Sequence, residues 1–187
     1  MNGEWCYLSD SFTNQECDDI VKIGNSLELE DALVGAVDSV KDENWRNSKR
    51  SFLYPGNNTD WIFTRFWETA AKANSDYFGF DYYSLRFIQF TSYEQGEYYH
   101  GHQDLFVYQK PQRKLSVTVQ LTGAEEYTGG DLYFENIEEY PTTEGYEDMR
   151  QKGTSVFFPS FVRHGVTEVT KGTRYSLVAW FEGPDWK

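Results

Sequence analysis

The stretch HGHQDLF, residues 100–106, holds two of the chain's three histidines, His100 and His102, with Asp104 two positions after the second. The third, His164, lies far down the chain in FPSFVRHGVTEV, just past a run that reads as a strand. Two imidazoles and one carboxylate are ligands for a divalent metal, and together they leave three positions of an octahedron open. An H-x-D pair alone fits a solvated strand end equally well. What sharpens the metal reading is Arg174, ten residues after His164, with Ser176 two further on. A guanidinium offers a carboxylate a bidentate fork, and the serine adds a hydroxyl donor.

Side chains from three distant segments meet only if strands carry them, and the pattern from residue 84 onward has period two. In KLSVTVQLT, Leu115, Val117, Val119 and Leu121 form one aliphatic face, and Ser116, Thr118 and Gln120 a polar one. In TRYSLVAWF, Arg174, Ser176, Val178 and Trp180 share a face, and in FIQFTSY so do Gln89, Thr91 and Tyr93. A single polar face is ordinarily solvated. Three of them, one carrying an arginine, imply a wet pocket inside the body of the domain. With GTSVFFP and the turn signals YTGGD, QKGT and TKGT, the pattern predicts six to eight strands over this part of the chain.

Ahead of the strands the spacing is helical. TNQE, from Thr13 to Glu16, has capping-box spacing, and Cys17, Ile20, Val21, Gly24 and Leu27 then fall on one face of a helix over 13–27. Ile62, Phe66, Ala70 and Ala73 predict a second helix from Thr59 to Asn74. The charged stretch KDENWRNSKRSFLYPGNN between them reads as a long surface loop. The expectation is a single domain over 1–187, with a helical lead-in to about residue 80 and a β core over about 84–183: helices on one face of an antiparallel sandwich or barrel.

Composition excludes several classes. Aromatics make up 18% of the 187 residues, too much core material for a disordered chain. The net charge of −13 and the lack of a lysine and arginine stripe argue against a nucleic-acid partner. The start, MNGEWCYLSDSF, has no signal-peptide pattern, and no apolar run approaches the ~20 residues of a membrane span. A soluble cytoplasmic protein is the expectation, with Cys6 and Cys17 as reduced structural thiols.

Together YYHGHQD, EYTGGDLYF, GTSVFFPS and FVRHGVTEVTKGTRYS resemble the Fe(II)- and 2-oxoglutarate-dependent oxygenases, within them the prolyl 4-hydroxylase-like branch. TNQECDDIVKIGNSLELEDALV and WRNSKRS resemble the lead-in of that branch. The resemblance implies a mainly β, jelly-roll fold with supporting α-helices, the double-stranded β-helix of cupin type. It implies His102, Asp104 and His164 as iron ligands, and Arg174 as the group that takes the distal carboxylate of 2-oxoglutarate, assisted by Ser176. Tyr93 stands where a tyrosine often lines the cosubstrate pocket. Thr118 or Gln120 stands where some relatives carry a second carboxylate-binding tyrosine, a departure from the pattern. Fe(II), 2-oxoglutarate and O2 are the implied cofactors, with ascorbate as an accessory reductant. Asp104 favours hydroxylation, because halogenating relatives carry a small residue there. His100 shares a strand face with His102, but choosing it would leave no carboxylate two positions on, so it is expected in solvent or on the substrate rim.

The implied activity is hydroxylation of a C–H bond, most simply of a prolyl residue in a protein or peptide. The alternatives are an oxygenase for a free amino acid or other small molecule, and a non-catalytic metal-binding barrel, which would have no need of a carboxylate clamp. A nucleic-acid demethylase is disfavoured by Trp180, where those relatives carry a second arginine. Substrate choice is expected on loops at 38–58, 105–113 and 137–150. Trp45, Arg46, Lys49, Arg50 and Tyr54 are rim candidates in the first, and Phe106, Tyr108, Lys110 and Arg113 in the second; their aromatic faces suit an extended peptide.

Overall fold

A computed structural model describes residues 4–35, 40–56, 58–135 and 143–186. The first half runs β1 (Cys6–Leu8), α1 (Asn14–Ser26), β2 (Glu30–Asp31), β3 (Arg46–Asn47), β4 (Lys49–Leu53) and α2 (Asp60–Ala73), which continues into a π-helical turn over Asn74–Phe78. The second runs β5 (Ile88–Tyr93), β6 (Tyr98–His102), β7 (Gln112–Gln120), β8 (Thr128–Gly129), β9 (Leu132–Phe134), α3 (Thr143–Arg150), β10 (Ser155–Pro159), β11 (His164–Val166), β12 (Val169–Lys171) and β13 (Arg174–Gly183).

Two antiparallel sheets form the body: seven strands in the order β1-β10-β7-β13-β5-β4-β2, and four in the order β3-β6-β11-β9. They make a double-stranded β-helix core, with β12 and β8 as a small separate pair. β7, β13 and β5 lie side by side in the large sheet, and their register sets Gln120 beside Ser176, Ser176 beside Thr91, and Arg174 beside Tyr93. Directly paired residues project from the same face, so the three polar faces read from the sequence become one inner wall.

The opposite, aliphatic face is where the helices sit. Leu115, Val117, Val119, Leu177, Ala179 and Ile88 pack with Ile20 of α1 and Ile62, Phe66 and Ala70 of α2 in one buried core. α1 begins as its sequence predicts. The Thr13 hydroxyl accepts from the Glu16 N–H at 3.2 Å and the Glu16 carboxylate from the Thr13 N–H at 2.7 Å, satisfying donors that the first turn leaves free. Cys6 and Cys17 are free, buried thiols in this core, each pushed up to about 12 chiefly by burial. A second cluster, Leu132, Phe134, Met149, Val156 and Phe158, closes the far side.

Two expectations need correction. The stretch read as a long surface loop contains β3 and β4, which join the small and the large sheet respectively. Two of its charged residues, Arg46 and Arg50, misled because they line a polar cavity rather than facing bulk water. The lead-in is therefore a mixture of helix and strand, and nine strands rather than six to eight follow residue 84. The extra ones are pairs and triplets too short to show a period.

Gly24 marks where α1 lies closest to the large sheet: a Cβ there would stand 2.5 Å from the Phe90 ring. An unhindered glycine-to-alanine change inside a helix gains about 1 kcal/mol. Here overpacking reverses the sign, and Gly24→Ala is expected to cost about 1–3 kcal/mol in a urea denaturation series. A gain would mean that Phe90 swings aside freely.

Candidate active site

β6 and β11 are antiparallel neighbours, and His102 pairs directly with His164. The two imidazoles therefore project from one face of the small sheet, with ring centroids 4.3 Å apart. Each ring is oriented by a nearby carbonyl: Nδ1 of His102 lies 3.0 Å from the carbonyl of His100 on the same strand, and Nδ1 of His164 lies 3.0 Å from the carbonyl of Val162 in the turn before β11. A carbonyl only accepts, so each Nδ1 carries the hydrogen and each Nε2 keeps its lone pair free. Tyr99 stacks on His102 at 3.6 Å and Phe158 packs on His164 at 4.4 Å, which fixes the ring planes.

Asp104 stands two residues beyond His102, on the same face as the strand ends. Its backbone N–H donates to the Ser160 carbonyl at 2.9 Å, and its Oδ2 accepts from the Ser116 hydroxyl at 2.7 Å. The carboxylate oxygens face the imidazoles without bonding to them: His102 Nε2 to Oδ1 is 3.8 Å and His164 Nε2 to Oδ2 is 3.5 Å. One donor atom from each of the three residues lies within 4.8 Å of the others, a grouping unmatched among the described residues. Burial pushes His102 down to about 3, helped by His164 and opposed by Asp104, so its lone pair stays available. Burial would raise Asp104, but His164, His102, Arg113 and the Ser116 hydroxyl outweigh it and hold the carboxyl below its usual range. Two imidazole nitrogens and a carboxylate around one point are the donor set that non-haem Fe(II) takes. His100 is outside this set: it is exposed, against Trp45 and Tyr98.

Between the sheets lies a cavity of about 790 Å³, with the three residues in its wall. Tyr93, Thr118, Arg174 and Ser176 line it too. Arg174, 1% exposed, is held with Nη2 donating to Gln120 Oε1 at 2.9 Å and Nη1 to Ser176 Oγ at 3.4 Å, and lies 5.5 Å over the Tyr93 ring. Gln120 thus holds the arginine rather than forming cavity wall. The Arg174 Nε is buried without a partner, and among the described residues no carboxylate pairs with the guanidinium. A buried cation left so is costly unless an anion completes it.

Of the rim candidates, Arg46, Arg50, Phe106, Tyr108 and Arg113 line the cavity; Trp45, Lys49, Tyr54 and Lys110 do not, Lys110 pairing instead with Asp185. Residues 105–109 form a cavity-lining loop, whereas 112 and 113 already belong to β7. Of the third expected loop, residues 143–150 form α3 and 136–142 lie outside the described residues.

Sequence reasoning missed the supports of the site. Ser116 was placed on the polar face of β7 without a role, and Ser160, whose hydroxyl lies 3.0 Å from that of Ser116, was not singled out. Tyr99 carried no signal beyond its place between the histidines and an aromatic run.

With this geometry in view, the comparisons are decisive about family. The model of the 2OG-Fe(II) oxygenase superfamily matches residues 88–182. The chain belongs to that superfamily. A PKHD-type hydroxylase of Idiomarina loihiensis is 29% identical over 96 residues, which is 51% of this chain and 41% of the relative. The chain thus spans about two fifths of the length of the curated relatives it matches. Among solved structures, a Pseudomonas putida prolyl-4-hydroxylase superposes with a TM-score of 0.74 at 19% identity, over 96% of this chain and 93% of the other. A viral collagen prolyl hydroxylase from Paramecium bursaria Chlorella virus-1 gives 0.71 at 21%, over 95% of both. At such identities these two likenesses establish the fold. Fe(II), 2-oxoglutarate and O2 are the cofactors that the superfamily implies.

Removing the Ser116 hydroxyl leaves the Asp104 Oδ2 without its donor. Supporting contacts of this kind are worth about 10–100-fold in metal affinity. Ser116→Ala is expected to weaken divalent-metal binding by about tenfold in a calorimetric titration, and to destabilise the metal-free chain by about 1–3 kcal/mol because a buried carboxylate oxygen loses its donor.

Proposed function

We propose that this chain is an Fe(II)- and 2-oxoglutarate-dependent hydroxylase acting on a prolyl residue in a peptide or protein. The observation that carries the reading is one cavity in which His102, Asp104 and His164 converge while Arg174 stands buried with no carboxylate of its own. A metal-binding barrel without catalysis gives that guanidinium no purpose. The free donors of Arg174, with Ser176 beside it, suit the distal carboxylate of 2-oxoglutarate, and Tyr93 and Thr118 suit the cosubstrate's flank.

In this reading the bound iron and its cosubstrate supply the oxygen chemistry: O2 gives one oxygen atom to a substrate C–H bond and the other to succinate, as 2-oxoglutarate loses CO2. The chain's part is placement. The paired imidazoles and Asp104 present three donors from one side and leave the opposite side to cosubstrate and gas. Ser116 keeps the carboxylate turned inward. Arg174 fixes how far into the cavity the cosubstrate reaches, and Tyr99 and Phe158 keep water off the imidazole faces. Ascorbate enters as a soluble reductant with no residues assigned to it.

A peptide substrate fits better than a free amino acid because the cavity is far larger than a five-carbon diacid fills, and its wall continues into Phe106 and Tyr108 on the 105–109 loop, where Tyr108 is 92% exposed. Aromatic faces of this kind stack on a proline ring at small entropic cost. No helix among the described residues is long and apolar enough to cross a membrane.

The test is incubation of the iron-loaded chain with 2-oxoglutarate and pools of proline-containing peptides, reading succinate and a gain of one oxygen by mass spectrometry. Peptide oxidation is expected; oxidation of free amino acids alone would overturn the peptide reading. Arg174→Ala removes one partner of a desolvated charge pair, worth about 2–5 kcal/mol, and is expected to raise the apparent 2-oxoglutarate constant more than tenfold. An unchanged constant would refute that role.

A further inference from the structure

The chain carries eight arginines, and they divide by position. Outside the cavity, Arg65 pairs with Glu16 at 2.9 Å, Arg86 with Glu182 at 2.5 Å, Arg163 with Glu135 at 2.6 Å, and Arg150 with Asp131. The other four, Arg46, Arg50, Arg113 and Arg174, all line the cavity, and none has a carboxylate partner among the described residues. A chain of net charge −13 has thus put half of its arginines around one space without an ion-pair partner, the nearest acidic influences being Glu30 on Arg50 and Asp104 and Glu182 on Arg113. Asp104 is the sole acidic side chain among the described lining residues.

Arg174 is accounted for by the cosubstrate. The charges of a divalent metal, Asp104, a dicarboxylate cosubstrate and Arg174 cancel, so three guanidiniums remain. Arg113 lies 3.9 Å over the Trp180 ring, reaches the Asp104 carbonyl only at 3.5 Å and has a buried Nε with no partner. Arg46 is braced 4.3 Å over Tyr99, with Nε donating to Ser48 at 3.0 Å. Arg50 is the least engaged. Its guanidinium stands 5.0 Å over Phe52, its Nε is buried without a partner, and among the described residues the side chain makes no hydrogen bond or ion pair. Burial first, then the nearby Arg46 charge, push its pKa down against the smaller opposing pull of Glu30.

Packing on aromatic rings does not fully satisfy these groups, because a ring face attracts a cation without neutralising it and leaves the orphaned N–H donors of Arg50 and Arg113 unmet. The rings do tie the groups into one surface. Trp180 meets Phe87 at 6.0 Å and Phe87 meets Phe52 at 5.1 Å, so an aromatic wall runs from Arg113 at one end to Arg50 at the other. Its ends call for anions and its middle for an apolar ring.

We propose, resting on the peptide-hydroxylase reading above, that the cavity selects a substrate bearing a carboxylate close to the target residue, and that Arg50, with Arg46 beside it and Arg113 across the wall, receives it. The source of that carboxylate is an acidic side chain or a free C-terminus, and the same experiment separates them.

The full chain is loaded with Mn(II) in place of iron and with saturating 2-oxoglutarate, so that Arg174 is already engaged. Peptides with a central proline, capped at both ends and differing only in Glu, Gln or Lys beside it, are titrated by calorimetry, together with the Gln peptide carrying a free C-terminus. The Glu peptide is expected to bind at least tenfold more tightly than the capped Gln peptide. That gap should fall below threefold in Arg50→Gln, and Arg50→Glu should prefer the Lys peptide, a reversal that a merely structural arginine would not produce. Tight binding of the uncapped Gln peptide alone assigns the carboxylate to the terminus and keeps the site. Equal affinity of the native chain for all four, or binding of none, overturns the proposal, as does a tenfold gap that survives in Arg50→Gln.

The same peptides on the iron-loaded chain separate this inference from the reading beneath it. Tighter binding of the Glu peptide without any gain of oxygen leaves the anion site standing and sinks the hydroxylase. Equal oxidation of Glu and Gln peptides does the reverse.

Discussion

The direct pairing of His102 with His164 across β6 and β11 is the constraint on which the rest of the site depends. It sets two imidazoles side by side on one face, and each ring then gives its Nδ1 hydrogen to the carbonyl two residues before it. That use of the hydrogen leaves both Nε2 lone pairs aimed at the space Asp104 also faces. A one-residue slip in this ladder would turn one ring to the opposite side of the sheet. The small sheet is held against slipping on its other edge by β9, where His164 pairs with Phe134, and by the packing of Phe158 on the His164 ring.

The large sheet supplies what the small sheet cannot, a floor of donors with a greasy back. β7, β13 and β5 bury their aliphatic sides under α1 and α2, and that burial forces Ser116, Thr118, Ser176 and Arg174 to face inward. Hydrophobic packing outside the barrel thus creates the polarity inside it. The cost is a set of desolvated cations. Gln120 and Ser176 support Arg174, but only an incoming anion completes it.

Much of this was legible because chemistry and period coincide. The capping box at Thr13 and Glu16 marks the start of α1, and the strict alternation from Leu115 to Leu121 separates core from cavity without any structure. The H-x-D, the distant histidine and the arginine ten residues beyond name the family before the fold is known. What failed did so for one physical reason: a strand that faces a wet cavity looks like a surface. Arg46, Lys49 and Arg50 made the stretch holding β3 and β4 read as a loop, although Arg46 is buried and Arg50 lines the cavity wall. The same ambiguity spread the rim over residues of which some, such as Trp45 and Lys110, lie away from the cavity. Short strands such as β8 and β12 have no period to detect. Ser160 supports Asp104 through backbone and hydroxyl contacts, and a lone serine after a proline carries no signal of that.

The central claim is that three side chains from two strands and a strand end hold one metal ion. Its most direct measurement is an anaerobic equilibrium titration of the purified chain with Fe(II), carried out in parallel on Asp104→Ala and His100→Ala. One ion per chain is expected for the native protein and for His100→Ala, with affinity lost in Asp104→Ala. Iron retained without Asp104, or lost with His100 while His102 remains, would contradict it.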